Sequence, residues 1–271
     1  MISLVLFPIA IVAGFIGSIL GLGGGVIIVP VLTLIFGIDI RYAVAASLIS
    51  IIATSSGAAA SFLKDHLTNL RLAILLEIGT VFGAITGFLL SSSLKSSALF
   101  FSFGGFLLFS ALMMFRQKRD PRAEKNHPWA EKLSLHSKFP DKNGWIHYKV
   151  ANVPFGFISM YVAGIFSALL GIGSGIFKIM AMDGAMKIPM KVSSATSNFM
   201  IGVTASASAG AYFLRGDVKP EIASPVALGI IVGAWIGARV MPKLNALFIK
   251  KIFIVVMTIV AIQMILKGVE G

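Results

Sequence analysis

Two glycine runs carry the chain's most unusual chemistry: Gly21-Leu22-Gly23-Gly24-Gly25, and Gly171-Ile172-Gly173-Ser174-Gly175. Each sits in a long apolar stretch, where a broken helix leaves backbone N–H and C=O groups without partners unless protein or a watery cavity satisfies them. The helix that restarts after each run, near Gly25 and Gly175, would point N–H donors and a partial positive charge at such a cavity, and the ligand this favours is an anion. Small polar side chains recur nearby. Ser47, Ser197 and Asn198 are the better candidates to donate to an oxyanion, because they are paired between the two runs or adjoin the pair. Three ionisable residues fall in or near apolar segments, Glu77, Lys178 and Asp183, and charge inside a membrane is costly enough to imply a role. Lys178 follows the second glycine run and would add positive charge beside an anion. Glu77 would carry a coupling proton or pair with a basic residue at a helix end. Asp183 is read as an ordinary loop residue.

The second run repeats the first at a constant offset of 150 (171 − 21, 175 − 25), and the register extends along the chain. Ala13-Gly14 matches Ala163-Gly164, Ser47 matches Ser197, and Gly79, Gly83 and Gly87 match Gly229, Gly233 and Gly237. The last two sets, spaced i, i+4, i+8, read as surfaces for close helix packing. The chain is therefore a duplicated unit. Residues 1–115 form one membrane repeat, 150–271 the other, and 116–149 a basic linker.

The elements that must position these residues follow from composition. With 57% hydrophobic and 13% charged residues in 271, and apolar segments near the roughly 20 residues a spanning helix needs, the expected class is an all-α polytopic membrane protein. Each repeat would have a glycine-broken helical hairpin plus three spanning helices. No basic n-region precedes the first apolar run, so it is expected to remain in the mature protein. Zero cysteines exclude disulfides and thiolate metal sites. No metal or cofactor is expected, the glycine runs lack the context of a nucleotide-binding loop, and the four histidines fall in expected loops, so an enzyme is disfavoured. The net charge of +12 is read as a topology signal facing anionic lipid rather than as a nucleic-acid surface.

Between Arg116 and Lys149 there are nine Lys or Arg against four Asp or Glu, which places that segment in the cytoplasm. If each glycine-broken hairpin counts as two passages, each repeat makes five, and the second enters the membrane upside down relative to the first, the plan of many secondary transporters. Both termini are then outside. Whether the hairpins span fully or are re-entrant is left open by their length. The linker could begin a short surface helix at Pro128, with Trp129, Trp145 and Tyr148 at headgroup depth, or be a mobile connection; no folded domain is expected in it.

With these residues in hand, the chain resembles the sulfite exporter TauE/SafE family. The resemblance rests on Gly14-Phe15-Ile16-Gly17 through Gly21–Gly25 with Pro30 following, on the second glycine run, and on Ala195-Thr196-Ser197-Asn198. It implies export or uptake of sulfur-containing anions such as sulfite, sulfonates or related organic acids, and the helix breaks themselves make Gly21, Gly23, Gly24, Gly25, Gly171, Gly173, Ser174 and Gly175 the expected substrate site. Two departures separate the halves: Ser174 stands where the first has Gly24, and Met180 where it has Pro30. The expected partners are a small anion and the plasma-membrane bilayer; a homodimer is compatible with the sequence. The alternatives are an uptake permease for thiosulfate, sulfate or an organic acid, and an anion channel.

Overall fold

The computed structural model describes residues 2–20, 24–116, 128–141, 144–240 and 246–270. The first apolar run folds as α1 (Ile2–Leu20) and, past the glycines, as a short helix α2 (Gly25–Pro30) that continues as a π-helix over Val31–Ile35. Three long helices follow: α3 (Ile40–Lys64), α4 (Leu70–Ser93) and α5 (Ser96–Arg116). The second half repeats the series as α7 (Val153–Leu170), α8 (Gly175–Met180) with a π-helix over Ala181–Ala185, α9 (Met190–Arg215), α10 (Pro220–Val240) and α11 (Ala246–Glu270). The short helices and π-helices recur at the same 150-residue offset (175 − 25, 181 − 31). Pro30 and Met180 share this geometry, at φ −60° and −64°, so that substitution leaves the helix path unchanged.

Five described helices, within α3, α4, α5, α7 and α10, are long and apolar enough to cross a membrane. The fold is all-α and polytopic. Helix α9 has the length, at 26 residues, but its hydroxyl residues dilute its hydropathy, and Ser193, Thr196, Ser197, Thr204 and Ser208 are all buried. Its polar face therefore looks into the protein, while Phe82, Phe155, Ile158 and Leu228 are exposed on the outer surface of other helices.

The helices pack by exchange between halves. Gly79, Gly83 and Gly87 of α4 lie against Phe157, Tyr161 and Ile165 of α7, and Gly229 and Gly233 of α10 lie against Phe7 and Ile11 of α1. These are the same contacts shifted by the repeat (157 − 7, 161 − 11). A Cβ at Gly229 would stand 2.5 Å from the Phe7 carbonyl oxygen, so the glycines set how closely these helices approach. Rising numbers on both partners mean that α4 runs parallel to α7, and α1 to α10. Helix α5 runs antiparallel to α11, because Gly104 faces Ala261 and Ile265 whereas Gly268 faces Ser97 and Phe100.

The central segment departs from expectation. Pro128–Lys132 is a short helix, α6, as the sequence suggests, but it is followed by an antiparallel hairpin of β1 (Ser137–Asp141) and β2 (Gly144–Tyr148). Ala130, Leu135, Phe139, Tyr148 and Val150 are buried in one apolar cluster with Leu72 and Leu76 of α4 and Val192 and Met200 of α9. Residues 128–141 and 144–150 thus form a small folded cap instead of a bare linker. Trp129 and Trp145 are exposed, whereas Tyr148 is 7% exposed and its hydroxyl accepts a hydrogen bond from Asn69 Nδ2 at 2.9 Å. Tyr148 therefore holds the cap to the start of α4, with its ring packed inside the protein.

Candidate functional site

The two glycine breaks meet. A Cβ on Gly25 would lie 2.5 Å from the carbonyl oxygen of Gly171 and 2.6 Å from Ser47 Oγ, so no residue with a side chain fits there without a shift. Ser47, on α3 of the first half, donates to that same Gly171 oxygen at 2.6 Å. Ser197, its repeat partner on α9, donates to the carbonyl oxygen of Gly175 at 3.1 Å. Ser47 thus satisfies a carbonyl freed at the end of α7, whereas Ser197 ties α9 to the first residue of α8. Gly173 and Gly175 pack against Ile201. Gly21 and Gly23 lie outside the described residues.

Gly24 and Ser174 hold equivalent places before α2 and α8, and both adopt the left-handed conformation, at φ 80° and 45°. The serine therefore keeps the glycine's backbone at a cost of about 1 kcal/mol. Its hydroxyl is buried and has no hydrogen-bond partner among the described residues, and the same holds for Ser167. Ser167 also replaces a glycine, Gly17, at the repeat offset (167 − 17 = 150). Asn198 is half-buried and donates to Ser194 of its own helix at 2.9 Å. Thr54, Ser55 and Ser56 are likewise bonded to carbonyls one turn back on α3.

One turn into α8, Lys178 is completely buried, at 0% exposure. Its ammonium donates to Thr204 Oγ1 of α9 at 2.6 Å and stands 3.9 Å from Glu77 Oε2 of α4. Thr204 in turn donates to Glu77 Oε1 at 2.5 Å, with the Met200 carbonyl oxygen 2.8 Å away as its other acceptor. Glu77 is 6% exposed, and its second oxygen accepts no hydrogen bond. The glutamate therefore faces inward and joins the first half to the second through a buried ion pair. A groove of about 420 Å³ between α4 and α9 leads to Glu77 from the outer surface, walled by Ile74, Ile78, Phe82, Phe199 and Val203.

The network exists once. At the repeat offset, Glu77 becomes Ala227 (77 + 150), Lys178 becomes Ile28 (178 − 150), and only Thr204 keeps its hydroxyl, as Thr54. Thr204 was not singled out from the sequence, although it lies seven residues beyond Ser197, two helical turns along the same face. Among the described residues, no three His, Asp or Glu side chains are grouped to hold a metal.

The comparisons with known proteins relate this duplicated, glycine-broken helical bundle to membrane transporters. The family model described as sulfite exporter TauE/SafE matches residues 6–264. The chain belongs to the sulfite exporter TauE/SafE family. It is 26% identical over 276 residues, covering 98% of both chains, to a probable membrane transporter protein, YunE, of Bacillus subtilis (strain 168). It is 30% identical over 261 residues, 89% of each chain, to the probable membrane transporter protein MJ0441 of Methanocaldococcus jannaschii. A further B. subtilis protein, the probable membrane transporter YdhB, is 25% identical over 246 residues, covering 90% of this chain and 91% of that one. No solved structure matches the chain significantly. The family and these relatives are membrane transporters, not enzymes.

Proposed function

We propose that this TauE/SafE protein is a secondary transporter that exports sulfite or a small organosulfur anion across the plasma membrane. It works by alternating access between inverted repeats, residues 1–115 and 150–271, joined on the cytoplasmic side by 116–149. The observation that carries the anion reading is Lys178. A fully buried ammonium costs several kcal/mol unless it is well paired. Its carboxylate stands 3.9 Å away instead of in direct contact, so an oxyanion entering from the glycine break has a positive charge to meet.

The site on this reading is the junction of the two breaks. Gly24 and Gly25 come from one side, and Gly171, Gly173, Ser174 and Gly175 from the other, with Ser47, Ser197 and Asn198 on the polar helices beside them; Gly21 and Gly23 belong to the proposed site by sequence. Ser174 and Ser167 add hydroxyls that are buried and uncommitted, which an oxyanion would accept from.

Helix directions support the inversion. Connections as short as 65–69 and 94–95 make α3, α4 and α5 alternate in direction, and α5 runs antiparallel to its repeat equivalent α11. An odd number of passages per half produces that relation. Excess Lys and Arg in 116–149 supports its cytoplasmic placement.

An anion that crossed alone would be driven out by an inside-negative potential, by about 2.3 kcal/mol per charge per 100 mV. The reading is tested by saturation. Labelled sulfite flux into proteoliposomes should level off with concentration for a carrier; flux that stays linear would indicate a channel.

A further inference from the structure

Thr204 has one hydroxyl proton and two acceptors within reach, Glu77 Oε1 at 2.5 Å and the Met200 carbonyl oxygen at 2.8 Å. While the hydroxyl points at Glu77, it links that carboxylate to Lys178, which donates to the same oxygen at 2.6 Å. If Glu77 becomes neutral, the hydroxyl can turn to Met200 and lose nothing, and Lys178 keeps its bond to Thr204. The network can thus exist with Glu77 either ionised or protonated. Electroneutrality couples that choice to the ligand. With Glu77 ionised, the pocket holds one positive and one negative charge. An incoming monovalent anion would leave it with an uncompensated negative charge, at a cost of several kcal/mol in a desolvated interior, unless Glu77 takes a proton.

We propose that Glu77 is the proton-coupling group of this transporter: the substrate anion replaces its carboxylate as counter-ion of Lys178, and Glu77 binds a proton from the same compartment. One proton then crosses with each monovalent anion, so that the two carry no net charge together, and it is released to water on the far side as the carboxylate returns to Lys178. This rests on the anion-transport reading above and adds its coupling ion. Other titratable residues occur along the surrounding elements. Arg71 begins α4, Lys191 begins α9, and Tyr212 and Arg215 end it. Asp183 lies in the π-helix beyond Lys178, and Tyr161 of α7 meets Thr86 at 3.1 Å. The asymmetry of the site agrees, since one coupling group needs one cation, and Ala227 and Ile28 provide neither in the mirror position.

The test uses the full-length protein in proteoliposomes holding a trapped pH dye, with methanesulfonate, which stays a monovalent anion at neutral pH, as the probe of proton movement and sulfite as a second probe of counterflow. Wild type should show counterflow and move protons with the anion. In Glu77→Gln the protons moved per labelled anion carried should fall to background, whatever rate of counterflow remains, and Glu77→Asp should restore the ratio. Proton movement that persists in Glu77→Gln, or a wild type that carries the anion without protons, would overturn the proposal. If neither probe shows counterflow, it is the sulfur-anion reading that fails. Infrared spectra then decide the coupling separately. Lys178→Met should show a protonated-carboxyl stretch at neutral pH that is absent from wild type and from the Lys178→Met/Glu77→Gln double variant. Lack of that band in Lys178→Met would overturn the proposal whatever the substrate.

Discussion

The Lys178 ammonium lies 3.9 Å from Glu77 Oε2, on helices from opposite halves of the chain, and the two are bridged by a single threonine hydroxyl. Two consequences follow for stability. Removing one charge strands the other in a dry interior, whereas removing both leaves an ordinary apolar contact. Lys178→Met and Glu77→Leu should therefore each lower stability in detergent by about 3 kcal/mol, and the double variant should recover most of that loss. Chemical denaturation of the purified proteins checks it, and additive losses in the double variant would contradict it.

Thr204 is the hinge of the network. Hydrogen bonds to charged groups contribute roughly 1.5–3 kcal/mol, so Thr204→Val should slow sulfite transport by about tenfold or more. Thr204→Ser, which keeps the hydroxyl, should stay near wild type. Initial rates in proteoliposomes at matched protein content separate the two.

Helix packing gives a symmetric prediction. A Cβ at Gly83 would run into the Tyr161 carbonyl, and one at Gly233 into the Ile11 carbonyl. Gly83→Ala and Gly233→Ala should each destabilise the protein by about 2 kcal/mol, as overpacking does. Gly105 has open space around it, so Gly105→Ala should stabilise its helix by about 0.5–1 kcal/mol. Melting temperatures of the three variants provide the comparison.

Asn69 joins the cap to the bundle. Its side chain caps α4 by accepting from Leu72 N at 3.1 Å, and its Nδ2 donates to Leu135 O and to Tyr148 Oη, each at 2.9 Å. Asn69→Asp keeps the helix cap and loses both donors, whereas Asn69→Ala loses all three bonds. Limited proteolysis within 128–150 should quicken in both, and only the alanine variant should lose a further ~1 kcal/mol from the missing helix cap.

Much of this organisation was legible beforehand because duplication leaves a register. The 150-residue offset located both glycine breaks and the packing glycines, and the structure places short helices and π-helices at the same offset. The cap was not legible: Ser137–Asp141 carries Pro140, and its apolar residues do not alternate in the way that marks a strand. Nor was the partner of Glu77. It and Lys178 are 101 residues apart (178 − 77), and only the packing of α4, α8 and α9 brings them together. Thr204 sat in plain view on the polar face of α9, but one hydroxyl among many on that helix carries no distinguishing local signal.

Topology can be read from a chain that has no native cysteine. With single cysteines at Asp39 and Lys187, an impermeant maleimide should label the first from outside the cell and the second only after the membrane is opened. Labelling of both from one side would exclude the inverted arrangement.

The measurement that bears most directly on the central claim is counterflow of sulfite through the reconstituted protein. Vesicles preloaded with unlabelled sulfite should transiently accumulate labelled sulfite above its equilibrium level with wild type, and not with Lys178→Met. Wild-type vesicles that never exceed equilibrium, or a Lys178→Met variant that matches wild type, would contradict a sulfite carrier built around that lysine.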